Sequence, residues 1–324
     1  MKVLVTGTAG FIGSHVAQVL LARGDTVIGF DSLNDYYDVT LKQARLARFI
    51  DHPNYIHVQA DLADRAAVEE VFAHHKPERV INLAAQAGVR YAAENPHVYV
   101  ASNVTGFLHI LEGCRHHGVQ HLVYASTSSV YGANTNMPFS EHNSAEHPLT
   151  LYAATKKANE QMAHSYAHLY GIPCTGLRFF TVYGPWGRPD MAPLLFSRAV
   201  LAGRPIEVFN HGRMRRDFTH VSDIVDGILG ALDRQAGGAG VPHEVFNLGN
   251  HTPVELERFI AVIEQAAGRP AIKEYRPMQP GDMVETMADT SRAHAAFGFG
   301  PRTPIEAGLP PVVHWCRDYF GDAA

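Results

Sequence analysis

Lys2-Val3-Leu4-Val5-Thr6-Gly7-Thr8-Ala9-Gly10-Phe11-Ile12-Gly13 decides the fold. A short apolar run, Lys2–Thr6, leads into glycines spaced G-x-x-G-x-x-G, and an amphipathic pattern over Phe11–Arg23 follows at once. In a strand–turn–helix frame each glycine has a task. Gly7 permits a tight turn, Gly10 lets a pyrophosphate approach the backbone, and Gly13 lets the helix pack closely on the strand. The helix N-terminus then offers free N–H groups and the positive end of its dipole to the anion. Phe11 and Ile12 lie between the second and third glycines and share the same turn. Asp31 closes the next strand-like run, Thr26–Phe30. A carboxylate there accepts both ribose hydroxyls of NAD and repels the 2′-phosphate of NADP. A glycine triplet alone also fits an ordinary βα turn, but with the strand, helix and acid all in place the stretch reads as a dinucleotide site.

Working outward, short apolar runs recur at Tyr55–Gln59, Arg79–Leu83, His121–Ala125 and Cys174–Arg178. Helical patterns separate them over Ala66–His74, Tyr99–His117 and Tyr152–Tyr170. Nearly continuous apolar strands alternating with helices predict an α/β fold, a doubly wound parallel Rossmann sheet covered on both faces. Chemistry in such sheets gathers at the carboxyl ends of the strands. Asp61 and Leu62 end the third strand, and Ala84, Ala85 and Gln86 end the fourth, where small side chains leave room for a cofactor. Beyond Tyr183 the pattern is broken by Pro185, Pro189, Pro193 and Pro205, and a surface loop reads at Gly237–Gly240. Helices are predicted over Pro193–Ala202, Ser222–Gln235, Val254–Ala267 and Ile305–Phe320. The expected organisation is an NAD-binding domain over 1–183 and a smaller α/β substrate lobe over 184–324, with segments around 216–250 returning to the first domain.

Composition removes other classes. The 324 residues carry a net charge of −5, with no basic field to recruit nucleic acid or an anionic membrane surface. The sequence has no apolar run long enough to span a bilayer and no pattern of a secretory leader. Cys114, Cys174 and Cys316 are isolated and odd in number, which suits reduced thiols in a cytoplasm. Cys114 and His117 stand at a metal-like spacing, but no second pair completes a site, so no metal is expected.

Tyr152-Ala-Ala-Thr-Lys156 sets a phenol and an ammonium four residues apart on one helix face. A free phenol, with a pKa of about 10, is a poor base at neutral pH. A neighbouring lysine and the positive nicotinamide favour the phenolate, so the sequence predicts a lowered Tyr152 pKa. Ser126-Thr127-Ser128-Ser129 closes the fifth strand and supplies hydroxyls for a reacting oxygen.

These features together resemble the extended short-chain dehydrogenase/reductases, the group of nucleotide-sugar epimerases, dehydratases and decarboxylases. The likeness runs from Lys2 to about Phe320: the glycine turn, the Tyr-x-x-x-Lys pair, the Ser-rich strand end before Val130-Tyr131-Gly132, and Arg216-Asp217-Phe218. Arg178–Met191 and Met278–Asp282 are most similar to the UDP-glucuronate 4-epimerase branch. The resemblance implies tightly bound NAD, a UDP-sugar substrate, and Thr127 and Tyr152 flanking the sugar C4 hydroxyl, with Lys156 on the nicotinamide ribose. Asn103 joins the implied cofactor-binding set. Tyr152 would take the C4–OH proton as the C4 hydride leaves, the 4-keto sugar would turn over, and proton and hydride would return to the other face. Arg216 matches a diphosphate-binding arginine, Asp282 a uridine-ribose ligand, and Phe209 a place to stack on uracil or, equally, a core aromatic. Arg188 would position the sugar or its carboxylate, or sit on a surface turn. Arg90 faces the sugar or makes a surface ion pair.

Within the family, dehydratases carry an Asp-Glu pair after the catalytic Thr, and decarboxylases resembling this chain have Glu where Ser129 stands. Here Ser128 and Ser129 offer only hydroxyls, suited to holding a carboxylate. UDP-glucose 4-epimerases, the nearer rival, usually carry Asn at the place of Thr181 and Arg at that of Gln279, so the contacts of these two positions do not carry over. UDP-glucuronate decarboxylation is the other enzymatic alternative. An NAD(P)-binding sensor or scaffold is the alternative of another class, against which Thr127, Tyr152 and Lys156 all stand. Family likeness also implies a homodimer through the outer faces of the helices at Tyr99–His117 and Tyr152–Tyr170.

Overall fold

The computed structural model describes residues 1–88, 91–234, 240–278 and 283–321. Arg90, Gln235, Gly237–Ala239, Gln279 and Asp282 lie outside the described residues. The chain runs β1 (Lys2–Thr6), α1 (Phe11–Ala22), β2 (Thr26–Asp31), α2 (Val39–Ala47), β3 (Tyr55–Gln59), α3 (Arg65–His75) and β4 (Arg79–Asn82). Next come α4 (Pro96–Tyr99), α5 (Gly106–His116), β5 (His121–Thr127), α6 (Leu151–Tyr170) and β6 (Cys174–Phe179). Then follow β7 (Thr181–Tyr183), α7 (Ala192–Ala202), β8 (Pro205–Val208), β9 (Arg215–Arg216), β10 (Phe218–His220) and α8 (Val221–Asp233). The chain ends with β11 (His243–Leu248), β12 (Val254–Glu255), α9 (Leu256–Ala267), β13 (Ile272–Tyr275), α10 (Ser291–Phe297) and α11 (Ile305–Phe320).

Seven of these strands form one parallel sheet in the order β11-β6-β5-β4-β1-β2-β3. The α/β, doubly wound class predicted from the sequence is the observed one. Its physical cause is visible in β5 and β6, where every residue is buried: a strand covered on both faces has no polar side to offer. One face is packed by α1 and α8 through Val16, Leu20, Ile224 and Ile228. The other is packed by α3, α5 and α6 through Phe72, Phe107, Ile110 and Ala163. Each Val, Leu, Ile or Phe among them contributes about 1.5–3 kcal/mol when fully buried. The strand order reverses between β1 and β4, which opens a crevice at their carboxyl ends. Thr6 fixes its floor: its hydroxyl donates to Asn82 Oδ1 (2.7 Å) and accepts from the N–H groups of Leu83 (3.1 Å) and Ala84 (3.0 Å).

A second core lies between α7, α9 and α11, with Leu194, Val200, Ile206, Phe218, Phe259, Leu309 and Val313 at its centre. Around it stand three two-stranded pairs, β7 with β10, β8 with β13 and β9 with β12. Two sequence expectations change, and one helix is added to them. The helix expected over Tyr99–His117 is interrupted by a wide π-helical turn at Val100–Thr105, where Asn103 turns inward to bond the neighbouring loop and α6. The helix expected from Val254 begins at Leu256, because Val254 and Glu255 pair instead with Arg216 and Arg215. The segment after Asp31 contains α2, whose N-terminus is capped by Asp38 accepting from Thr40 N–H.

Candidate active site

A cleft of about 430 Å³ follows the carboxyl ends of the sheet strands and passes under the Thr181–Gly184 and Gly187–Leu194 segments. The glycine turn forms its inner end. Gly7 sits at φ +76°, a left-handed conformation that side chains resist, and a Cβ there would lie 2.9 Å from Ala84 N. A Cβ on Gly13 would fall 2.0 Å from Gly7 O, so the first turn of α1 presses directly on the strand exit. Gly10 precedes that helix and makes no side-chain cap, so the first N–H groups of α1 face the cleft free to bind an anion. Asp31 joins the turn to the segment after β2: Oδ2 accepts from Ala9 N–H (3.0 Å) and Oδ1 from Leu33 N–H (2.9 Å).

Gly7, Gly10, Phe11, Ile12, Gly13, Asp31, Asp61, Leu62, Ala84, Ala85 and Gln86 all line this end of the cleft. A cradle that any Cβ would fill, a helix N-terminus and a carboxylate at the second strand end fit a dinucleotide. Asn103 stands behind the wall. Its Oδ1 accepts from Gln86 N–H (2.8 Å), and its Nδ2 donates to Gln86 O and to Thr155 Oγ1 (3.0 Å each).

At the other end Thr127, Ser128, Ser129, Tyr152, Lys156, Thr181 and Arg188 converge. The helix that carries the phenol, α6, is set by its cap, Thr150 Oγ1 accepting from Ala153 N–H (3.2 Å). The Thr127 hydroxyl accepts from Ser129 N–H (3.2 Å) and lies 3.3 Å from Ser129 Oγ. Lys156 is 2% exposed. Its buried ammonium is pushed down to about 8, opposed by the carboxylate of Glu160 one turn further on.

Burial likewise raises the half-buried Tyr152 phenol above its usual value near 10, while Arg188 and the Thr127 hydroxyl pull it back. The sequence-based expectation of a lowered phenol is therefore corrected for the protein by itself. Spacing brings Tyr152 and Lys156 together, but desolvation outweighs the benefit of the neighbouring charge. The cation that favours the phenolate here is Arg188.

Glu160 is anchored from below. Arg178 on β6 donates to it through Nε and Nη2 (2.8 Å each), and Ser126 Oγ donates to it as well (2.7 Å). This pairing holds the Glu160 carboxyl down at about 2. The Arg188 fork meets Asp190, with Nε donating to Oδ1 at 3.0 Å and Nη2 reaching Oδ2. Tyr36 donates to the same Asp190 (3.2 Å). Besides Asn103, two more sequence-predicted residues stand off the cleft walls. Phe209 is half-buried at the edge of the second core, and half-buried Arg216 lies on β9, paired with Val254. Tyr36, Tyr37 and Lys42 line the cleft and escaped the sequence reading, although Asp38 as a helix cap before Val39, Leu41 and Leu46 was an available signal. Among the described residues no helix is long and apolar enough to cross a membrane, and no cluster of His, Cys, Asp and Glu could hold a metal ion.

A doubly wound sheet with a glycine-rich strand–helix turn, joined to a Thr/Tyr/Lys set, is the arrangement of a nicotinamide-dependent enzyme of the short-chain dehydrogenase type. A model of the NAD dependent epimerase/dehydratase family matches residues 3–249, and the chain belongs to that family. It is 47% identical to a probable UDP-glucuronate 4-epimerase of Rhizobium meliloti (strain 1021), over 97% of this chain and 96% of that protein. Its fold matches the UDP-glucuronic acid 4-epimerase of Bacillus cereus, solved with UDP-glucuronic acid and NAD. That match has a TM-score of 0.92 and 31% identity, covering 98% of this chain and 100% of that one. A UDP-glucose 4-epimerase of Thermotoga maritima, solved with UDP-glucose, matches at TM-score 0.89 and 30% identity, over 99% of this chain and 100% of that one.

Proposed function

We propose that the chain is a UDP-glucuronate 4-epimerase that interconverts UDP-glucuronate and UDP-galacturonate with NAD retained between turnovers. The observation that carries this reading is the charge pattern around Tyr152. Thr127 and the Arg188 guanidinium act on it and Ser128 and Ser129 line the same end of the cleft, while the acids among the described cleft-lining residues, Asp31 and Asp61, belong to the dinucleotide end. A dehydratase or decarboxylase needs a carboxyl group beside the sugar. A uronate binder needs donors and a cation there. In this structure Arg188 is paired with Asp190, so on this reading the sugar carboxylate shares or displaces that partner.

On this reading the Gly7–Gly13 turn holds the pyrophosphate, Asp31 the adenosine ribose, and Lys156 the nicotinamide ribose. When bound, NAD supplies an acceptor that takes the C4 hydride and gives it back, so no net redox change accumulates. Thr127 and Tyr152 flank the C4 hydroxyl. The Tyr152 phenolate accepts its proton, holds it while the 4-keto sugar turns about its diphosphate linkage, and returns it to the C4 oxygen of the inverted sugar. A 4-keto uronate is a β-keto acid prone to lose CO₂. Thr127, Ser128 and Ser129 hold its carboxylate away from the orientation that cleaves.

The division into a cofactor domain (1–183, with 216–250 returning) and a nucleotide-sugar lobe belongs to the same proposal, as do the substrate roles of Thr181, Phe209, Arg216, Asp282 and Arg90. A cytoplasmic homodimer goes with it, supported by the buried free thiols of Cys114, Cys174 and Cys316 and the exposed Val100, Leu108, Leu169 and Tyr170 around α5 and α6. Incubation with UDP-glucuronate is expected to yield UDP-galacturonate without release of NADH. UDP-xylose as the product, or faster turnover of UDP-glucose, overturns the assignment.

Arg188→Met tests the uronate contact directly. Loss of a charge-assisted hydrogen bond of about 1.5–3 kcal/mol raises KM for UDP-glucuronate by about 10- to 100-fold, while KM for UDP-glucose moves little. The same cation favours the Tyr152 phenolate. Its removal raises the phenol pKa further and moves the acid limb of kcat/KM to higher pH. An unmoved limb rejects the electrostatic link.

A further inference from the structure

Arg45, on α2, is wholly buried (0% exposed), and no carboxylate among the described residues forms an ion pair with it. Its guanidinium instead donates to neutral oxygens from separate parts of the chain. Nη1 reaches Ala9 O in the glycine turn (3.1 Å) and the Tyr37 hydroxyl (2.6 Å). Nε reaches Trp186 O (2.9 Å) and Nη2 reaches Gly187 O (2.8 Å), on the strap that carries Arg188.

That strap is held in conformations that side chains resist. Gly184 has φ +155° and Trp186 has φ +64°. The Trp186 ring packs on Trp315 and Tyr319 of α11, with centroids 5.1 and 5.3 Å apart. Its carbonyl is thus tied to the dinucleotide end of the cleft and its ring to the second core. The Arg45 charge lies directly behind the turn whose helix N-terminus faces the pyrophosphate position, and its hydrogen-bond partners bring no negative charge of their own.

From this geometry we propose that Arg45 is a positioning residue that ties the dinucleotide-binding turn to the Trp186–Arg188 strap, so that cofactor retention and the placement of Arg188 depend on one side chain. The proposal rests on the reading of Arg188 as the cation for the sugar acid, and on the glycine turn as the pyrophosphate cradle. A planar fork with donors on three nitrogens is required. A lysine keeps the charge but cannot span the turn, the phenol and both strap carbonyls.

The test uses the purified holoenzyme and its Arg45→Lys variant. NAD released per chain on denaturation is measured, together with KM and kcat for UDP-glucuronate and UDP-glucose. The expected result is a lowered NAD content, and a KM for UDP-glucuronate raised about tenfold with a comparable fall in kcat, because small displacements of a positioned group carry large rate penalties. KM for UDP-glucose stays within about twofold of wild type, as Arg188 serves the carboxylate. A variant with a lower Tm but wild-type NAD content and an unchanged ratio of the two KM values overturns the proposal, since a merely structural arginine gives that result. If Arg45→Lys does not fold, Tyr37→Phe removes one acceptor and is expected to shift the same quantities in the same direction, by less; no shift overturns the proposal. Failure of the wild type to epimerise UDP-glucuronate refutes the functional reading by itself, and NAD content still decides the role of Arg45.

Discussion

Tyr152→Phe is expected to lower kcat by about 10²- to 10⁴-fold, the span that a positioned acid–base group supplies, with KM for the UDP-sugar little changed. The ring that packs beside Tyr99, 6.3 Å between centroids, is retained, so the wall of the cleft persists. What disappears is the one oxygen that the Thr127 hydroxyl and Arg188 act upon. In the protein alone burial lifts this phenol above its usual value, so the deprotonated form that the proposed mechanism requires is scarce near neutrality. Activity limited by that form rises with pH through the neutral range. The wild-type profile of kcat/KM therefore has an acid limb, which vanishes in Tyr152→Phe. Near wild-type turnover in the variant would remove Tyr152 from the mechanism.

Glu160→Gln has the second large effect, on stability as well as activity. The carboxylate and the Arg178 guanidinium have side chains only 3% and 5% exposed, and removing one partner of such a pair costs about 3–5 kcal/mol because the other charge is left buried. Urea denaturation of the variant checks the loss. Arg178→Met/Glu160→Gln is expected to recover part of it, since two neutral side chains leave no orphaned charge. The pH dependence has a definite sign. The Glu160 carboxyl is held down at about 2 in the folded protein, against an ordinary value of 4.5. Its contribution is complete above the ordinary carboxylate range and is lost as pH falls from there toward about 2. In Glu160→Gln this acid-side decline is diminished. Glu160 also favours the charged form of Lys156, whose ammonium titrates near 8. Without it the lysine deprotonates at lower pH, and the pH at which activity stops rising moves downward. An unchanged end to the rise would confine Glu160 to a structural role.

Local spacing made the cofactor end of the site legible. Gly7, Gly10, Gly13 and Asp31 sit within one βαβ stretch, and a backbone cradle needs little beyond the right glycines in the right turn. Tyr152 and Lys156 were legible for the same reason, because one helical turn sets their neighbourhood. Their electrostatics were not, since desolvation depends on everything packed around α6. Arg45 was invisible in the sequence: its hydrogen bonds to Trp186 and Gly187 span more than a hundred positions. No periodicity announces such a bond. The two- to four-residue strands of the second core escaped for a related reason, as segments so short show no alternation before they end. The turn at Val100–Thr105 was hidden because helical spacing reads the same whether or not one turn is widened.

The route of the chain through its two cores bears on what happens if it is nicked. After β6 the backbone enters the second core with α7 and β8, returns to the large sheet with α8 and β11, and leaves again through α9. It then revisits the first core at Ala293 before ending in α11. A single proteolytic break between β8 and β11 therefore yields two fragments that each straddle both bodies, interlocked by packing as well as by the sheet. Such a nicked protein would keep its halves together in native buffer and separate into pieces only once denatured.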